Sequence, residues 1–309
     1  MSKSKLKKLL ISMILSSVMI ALGLSFLGKY YFLLDLFSHF WVYYLLVLIP
    51  LGIVAWRLNM KILASSALLC VLFIGIHIAP LHLTSVDTTN EKGLRIAAIN
   101  LLSSNRDYDK VLAYIQVEKF DIIIFQELSF GWRRQLNKLS TTYPYQKHQA
   151  QKGNFGIGIY SRISLTNTQI YEFGQFDIPS IAANFKYKNK TYYLIGTHPV
   201  PPTNPSAFKM RNDQMTFVNG LVRKQEAEAI VVGDMNCTSF SPNFSLLTEG
   251  TTLRDTRAGF GACTSWEATI PFIAITIDHA LVTDGIRVKH RGVGPYIGSD
   301  HFPLELTIY

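Results

Sequence analysis

Cysteine is scarce in this sequence, and its basic residues never gather into long runs. Only three cysteines occur in 309 residues, and no Cys/His cluster has the spacing of zinc ligands. The net charge is +9, yet no basic run exceeds a dipeptide such as Arg133-Arg134 or Arg223-Lys224. That dispersion argues against an extended nucleic-acid footprint. Internal repeats and low-complexity tracts are also missing. Nor does the N-terminus carry the small-residue cleavage site of a secretory leader. "SKSKLKK" has the basic character of one, but "GLSFLGKYYF" offers no A-x-A pattern and further apolar segments follow at once.

Long apolar runs are what the sequence has in excess. Hydrophobic residues make up 49% of it and the mean hydropathy is positive, high for a soluble domain. The excess lies at the front. Leu9 to Leu27, Phe40 to Trp56 and Ile62 to Leu81 contain no Asp, Glu, Lys or Arg. Crossing the hydrocarbon core takes roughly 20 apolar residues, and the runs are apolar all round, unlike the striped helices of a soluble bundle. Three transmembrane helices are therefore predicted, at about 9–27, 40–56 and 62–81, forming an anchor over residues 1–82. Lys3, Lys5, Lys7 and Lys8 precede the first, and Arg57 and Lys61 lie between the second and third. By the positive-inside rule those segments are cytoplasmic, which puts everything after the third span outside. The loop between the first two spans is apolar enough to lie in the interface.

Beyond the anchor, "LTSVDTTNEKG" at 83–93 reads as a linker, and 94–309 is long enough for one large α/β domain. Residues 87–309 carry a net charge of only about +3, so the high pI belongs mainly to the anchor. Cys70 falls in the third span. Cys237 and Cys263 fall in the exterior domain, where a disulfide between them stays open and two buried thiols are the favoured reading.

Strands are predicted at "LRIAAINLL", "DIIIFQEL", "GIGIYSR", "AIVVGDMN", "ITIDHALVT", "IRVKHRGV" and "FPLELTIY", with a hairpin turning near Lys188-Asn189. Helices are predicted at about 109–117, at "WRRQLNKLS" and at about 206–224. A polar residue stands at one strand edge after another: Asn100, Glu127, His198, Asp234 with Asn236, Asp278, and Asp300-His301. One such residue is an ordinary strand terminus. A whole series drawn from Asp, Asn, Glu and His points to a site of hard oxygen donors, which suits Mg²⁺ or Mn²⁺ bound with phosphate oxygens.

The ordered series Asn100, Gln126-Glu127, Thr197-His198, Gly233-Asp234-Met235-Asn236, Ile277-Asp278 and Ser299-Asp300-His301 resembles the endonuclease/exonuclease/phosphatase superfamily, the DNase I-like phosphoesterases. Each motif alone is weak; their order is specific. The resemblance implies a four-layer α-β-β-α sandwich and a divalent-metal-dependent phosphoesterase. It implies metal ligation by Asn100, Glu127 and Asp300, and catalysis by His198, Asp234, Asn236, Asp278 and His301. In that scheme Asp278 holds the His301 imidazole, Asn236 donates to phosphate or water, and His198 steadies phosphoryl oxygens. Asp234 orients the water or assists proton transfer. "THPVPPTNPSAFKMRNDQ", "GDMNCTSFSPNFSLL" and "GFGACTSW" look like the membrane-anchored bacterial branch, which includes proteins linked to glycopeptide resistance, although Cys263 departs from its usual Pro or Gly. The expected protein is a multi-pass, monomeric cell-membrane enzyme with its catalytic domain outside the cytoplasm. Its partners are the bilayer and a phosphate-containing, lipid-linked substrate. An extracytoplasmic nuclease is the alternative, and a non-catalytic binding module ranks below both. His279, beside Asp278 on a strand, points to the opposite face and is expected to be structural. His148 and His290 are expected to be surface residues without acid partners.

Overall fold

The computed structural model describes residues 2–86, 91–174 and 177–309. The expected linker at 83–93 falls partly on 87–90, outside the described residues. The chain divides into two compact units, one made of residues 1–84 and 238–244, the other of 85–237 and 245–309.

The first unit is helical. α1 (Lys3–Ser25) leads through a 3₁₀ turn (Phe26–Lys29), the single turn α2 (Phe32–Asp35) and a second 3₁₀ turn (Leu36–Phe40) into α3 (Trp41–Arg57), and α4 (Lys61–Leu83) follows. Three stretches, Lys3–Lys29, Phe32–Arg57 and Lys61–Leu83, are long and apolar enough to cross a membrane. Leu15, Leu48, Ala55, Ala67 and Ile74 pack inward. Leu10, Ile20, Leu46, Leu69 and Ile76 face outward, as lipid-facing positions should. A Cβ on Gly52 would lie 3.5 Å from the Ala67 methyl, so small residues let α3 and α4 approach closely.

The second unit is an α/β sandwich of two six-stranded sheets. The first sheet has the order β11-β12-β1-β2-β4-β3, built from β1 (Leu94–Asn100), β2 (Ile122–Gln126), β3 (Tyr145–Gln149), β4 (Ile157–Ser161), β11 (Val288–Val293) and β12 (Leu304–Ile308). The second has the order β5-β6-β7-β8-β10-β9, from β5 (Leu165–Phe173), β6 (Ile178–Tyr187), β7 (Lys190–Thr197), β8 (Glu228–Asp234), β9 (Arg254–Asp255) and β10 (Asp278–Val282). Strand alternation assigns the two faces of β1. Leu94, Ile96 and Ala98 join Ile124, Ile159, Leu194, Ile230, Val232 and Leu306 in the core between the sheets. Ala97 and Ile99 turn the other way, with Ile123 and Phe125, onto α5 (Tyr108–Glu118) and α6 (Phe130–Leu136) through Val111, Ile115, Trp132 and Leu136. On the far side, Gln214 of α7 (Pro205–Arg223) donates to Ser180 on β6 and Thr197 on β7 (3.0 and 3.3 Å). These are the four expected layers. A short helix, α8 (Ser245–Thr248), precedes β9.

Parallel pairing occurs between β1 and β2 and between β7 and β8. In register, Asn100 pairs with Gln126, Thr197 with Gly233, and Asp234 with Asp278 on antiparallel β10. The polar residues thus collect where the C-terminal ends of the parallel strands meet, the usual location of sites in α/β sheets. The hairpin turns at Lys188 and Asn189, both in the left-handed region (φ 47° and 62°), as a two-residue turn requires. Cys237 and Cys263 are not joined by a disulfide; the Cys263 thiol lies 3.6 Å from the Phe260 carbonyl oxygen.

Candidate active site

The Asp234 carboxylate is the centre of the site. Its Oδ2 lies 3.3 Å from Asn100 Nδ2, 3.4 Å from His198 Nε2 and 3.6 Å from His301 Nε2, all buried. Its Oδ1 accepts from the Asn236 backbone N–H at 2.8 Å. The Asn100 amide also lies 3.4 Å from Glu127 Oε1 and 3.4 Å from His301 Nε2. Asn100 is therefore a hub for three polar side chains, those of Glu127, Asp234 and His301.

Backbone geometry sets these side chains. Leu102, Glu127 and Asn236 all sit in the left-handed region (φ 53°, 54° and 49°), which costs a non-glycine residue on the order of 1–3 kcal/mol and is typical of functional sites. The turn after β1 is held by the Leu102 N–H donating to Asn100 Oδ1, and the Ser103 N–H donates to Glu127 Oε2 at 2.9 Å. Gly233 has φ 151°, and a Cβ there would run into the Thr197 carbonyl oxygen. This close approach brings β8 alongside the end of β7.

Asp278 Oδ2 lies 2.8 Å from His301 Nδ1, so Nδ1 carries the proton it donates to the carboxylate. Nε2 is thereby left facing Asp234 and Asn100. Ser265 Oγ accepts from the Asp278 and Ile277 N–H groups, and Ser299 Oγ donates to the Asn100 carbonyl while accepting from the His301 N–H. Asp300 turns away from His301, with Oδ2 accepting from the Trp266 indole at 3.2 Å and Oδ1 buried without a partner. Asn236 differs from the expected role in part, because its Nδ2 donates to the Pro199 carbonyl at 2.8 Å. One of its two N–H bonds therefore holds the loop after His198.

Electrostatics follow from this packing. Burial opposes the His301 imidazolium, but the Asp278 and Asp234 carboxylates outweigh it and raise the pKa to about 10. Burial likewise opposes charge on His198, and the Asp234 carboxylate reverses that, raising the imidazole. Asp234 is held below the ordinary carboxylate value because His301 and His198 overcome its burial. Glu127 is pushed up by burial, with His198 pulling the other way.

The donor set fits a divalent cation. One ligand atom from each of Asp234, Asp278 and His301 lies within 4.8 Å of the others. Around that group stand Glu127, the unpartnered Asp300 Oδ1 and the Gln126 amide, both of whose polar atoms are buried without a partner. Oxygen donors in this number suit a hard ion that keeps some water.

The sequence profile of the endonuclease/exonuclease/phosphatase family matches residues 97–301. The chain belongs to that family. Comparison with curated protein sequences finds no match. Among solved structures, D. rerio TDP2 in complex with a single-strand DNA product aligns with a TM-score of 0.61 at 17% identity, covering 71% of this chain and all of that one. A mannosyl-6-phosphatase from Bacteroides thetaiotaomicron aligns at 0.53 and 18% identity, covering 70% and 99%. A Staphylococcus aureus beta toxin variant with bound magnesium ions aligns at 0.55 and 15%, covering 70% and 99%. At such identities the likeness concerns the fold.

Three supporting residues escaped the sequence reading. Ser265 and Trp266 lie inside the quoted "GFGACTSW", but only the structure shows them gripping Asp278 and Asp300. Arg211 is fully buried on α7 and donates to the Asn236 carbonyl at 3.3 Å; its helical position carries no signal of that role. His279 does point away from Asp278, and its Nε2 lies 2.9 Å from the Cys237 carbonyl. His290 corrects the expectation that it lacks an acid neighbour, since β11 and β12 pair and bring Glu305 to 3.9 Å.

Proposed function

We propose that this protein is a divalent-metal-dependent phosphoesterase of the membrane-anchored bacterial branch, hydrolysing a lipid-linked phosphate ester or pyrophosphate outside the cytoplasm. The observation that carries the reading is the Asp278–His301–Asp234–Asn100 chain at the strand ends, a polarised imidazole beside a buried carboxylate and a hub amide. Residues 1–82 serve as the anchor and 94–309 as the catalytic domain. The three spanning-length helices favour a substrate that is itself membrane-bound, and the lysines before the first of them favour the outside orientation.

A bound Mg²⁺ or Mn²⁺ would be held by Glu127, with Asn100 and Asp300, and would supply charge for the phosphoryl oxygens and for an activated water. Asp234 orients that water. The His301 Nε2 exchanges a proton with it or with the phosphate while Asp278 fixes the ring. His198 and Asn236 donate to phosphoryl oxygens, where charge develops. A nuclease is the second reading, favoured by the fold shared with the DNA-complexed TDP2. The modest charge beyond the anchor counts against it.

The test is hydrolysis by the purified full-length protein, with Mg²⁺, of polyprenyl phosphates, phospholipids, sphingomyelin and single- and double-stranded DNA. Release from a lipid substrate that EDTA abolishes, and that Glu127→Ala and His301→Ala lower by at least about a hundredfold, is the expected result. Turnover retained in both variants would overturn the assignment. Cleavage of DNA alone would move it to the nuclease.

A further inference from the structure

Residues 238–244, "TSFSPNF", follow the catalytic "GDMNC" directly in sequence yet belong to the helical unit. The grip on them is polar and buried. His39 Nδ1 lies 3.1 Å from Thr238 Oγ1 and accepts from the Thr238 N–H at 3.4 Å. A backbone N–H can only donate, so Nδ1 is the acceptor and the ring proton sits on Nε2. Ser241 Oγ donates to Asp35 Oδ1 at 2.6 Å, and Asn243 Nδ2 donates to the Gly28 carbonyl at 3.0 Å. Phe240 stacks on Trp41 with ring centroids 5.2 Å apart, and the Trp41 indole donates to Ser25. Gly28 admits no side chain, since a Cβ would meet the Asp35 backbone at 2.7 Å.

A buried carboxylate and imidazole in an apolar helical unit are costly, and apolar packing would have served as simple glue. On the other side of Thr238 the chain is equally fixed. The Asn236 carbonyl accepts from Arg211, and the Cys237 carbonyl lies 2.9 Å from His279 Nε2. Asn236, Cys237, Thr238, Phe240, Ser241 and Asn243 are thus each tied. The first ties lie within the sandwich, the later ones within the helices.

We propose that the segment Phe26–Phe40 is a receptor for residues 238–244, and that Asp35 and His39 are positioning residues for the backbone of Asn236 and, through its N–H, for the Asp234 carboxylate. Catalytic competence then depends on an assembled anchor. The rate effect rests on the phosphoesterase reading; the docking does not.

The experiment uses the full chain in lipid nanodiscs, with bis(p-nitrophenyl) phosphate and Mg²⁺ as the activity probe and hydrogen exchange as a readout independent of activity. In Asp35→Ala and His39→Ala, amides of 236–243 should exchange at least about tenfold faster while those of β1 and β12 keep their protection. In the same variants kcat should fall about tenfold with KM unchanged. His39→Asn, whose Oδ1 can replace Nδ1 as acceptor, should restore both. Should either alanine variant fail to fold, Ser241→Ala removes only one hydroxyl and carries the same expectation. Unchanged exchange at 236–243 overturns the docking. Faster exchange with undiminished kcat overturns the positioning role. A wild-type protein that hydrolyses nothing, yet shows the exchange effect, sinks the phosphoesterase reading and leaves the docking supported.

Discussion

At the scale of single residues, the site is governed by who holds whom. The Asp278 carboxylate meets the His301 Nδ1 at 2.8 Å, so its contribution is orientation and charge. Asp278→Asn should keep the fold and lower kcat by about 10²–10⁴, because an amide leaves the ring free to adopt the other tautomer; steady-state kinetics beside an unchanged Tm checks this. Asp255, away from the reacting groups, behaves differently. Burial would raise its carboxyl, but the Arg257 guanidinium at 2.7 Å and the nearby His279 overcome burial and hold it well below the ordinary value. A depressed pKa in the fold means stability that is complete above the unfolded value of about 3.9 and is lost as the pH falls below it. Asp255→Asn should therefore flatten the decline in stability between about pH 5 and pH 2, measured by denaturation across that range.

At the scale of elements, the apolar strands were plain in the sequence and the polar ones were not. β2 and β8 are continuous apolar runs because both faces are covered, by the opposite sheet and by helices. β3 reads "YQKHQ" and is half exposed at a sheet edge, so no alternation marks it. β5, another edge strand, carries a register shift between Thr166 and Gln169 that breaks its period. The site followed the same rule. Residues ending buried strands could be picked out in sequence, whereas Arg211, Ser265 and Trp266 act by tertiary reach. Asp35, between the first two long apolar runs, is fully buried. The strand end at Gly233 offers a direct test. Gly233→Ala forces a Cβ against the Thr197 carbonyl in a conformation foreign to alanine, and should destabilise the protein by more than about 3 kcal/mol, seen as a large drop in Tm.

At the scale of the whole molecule, cation binding and folding should be linked. The carboxylates and unpartnered oxygens at the strand ends exist as a set only in the folded chain, so Mg²⁺ at a hundredfold excess over its Kd should stabilise the wild type by about 2.7 kcal/mol. Glu127→Ala should lose most of that increment in thermal melts with and without EDTA. The orientation is checked by cysteine labelling in intact cells. Single cysteines at exposed Lys138 should react with an impermeant maleimide, and cysteines at Ser2 should react only after lysis.

The hydrogen bonds from Asp35, His39 and Gly28 to residues 238–244 span sequence separations of 206, 199 and 215. That spacing sets a clock on biogenesis. The three helices are made first, but these contacts wait until some two hundred further residues emerge, about 10–40 s at ordinary synthesis rates. Through that interval the nascent anchor lacks the partners that Thr238, Ser241 and Asn243 bring to His39, Asp35 and the Gly28 carbonyl. The last of these polar contacts within the helical unit thus form only after Asn243 has been made.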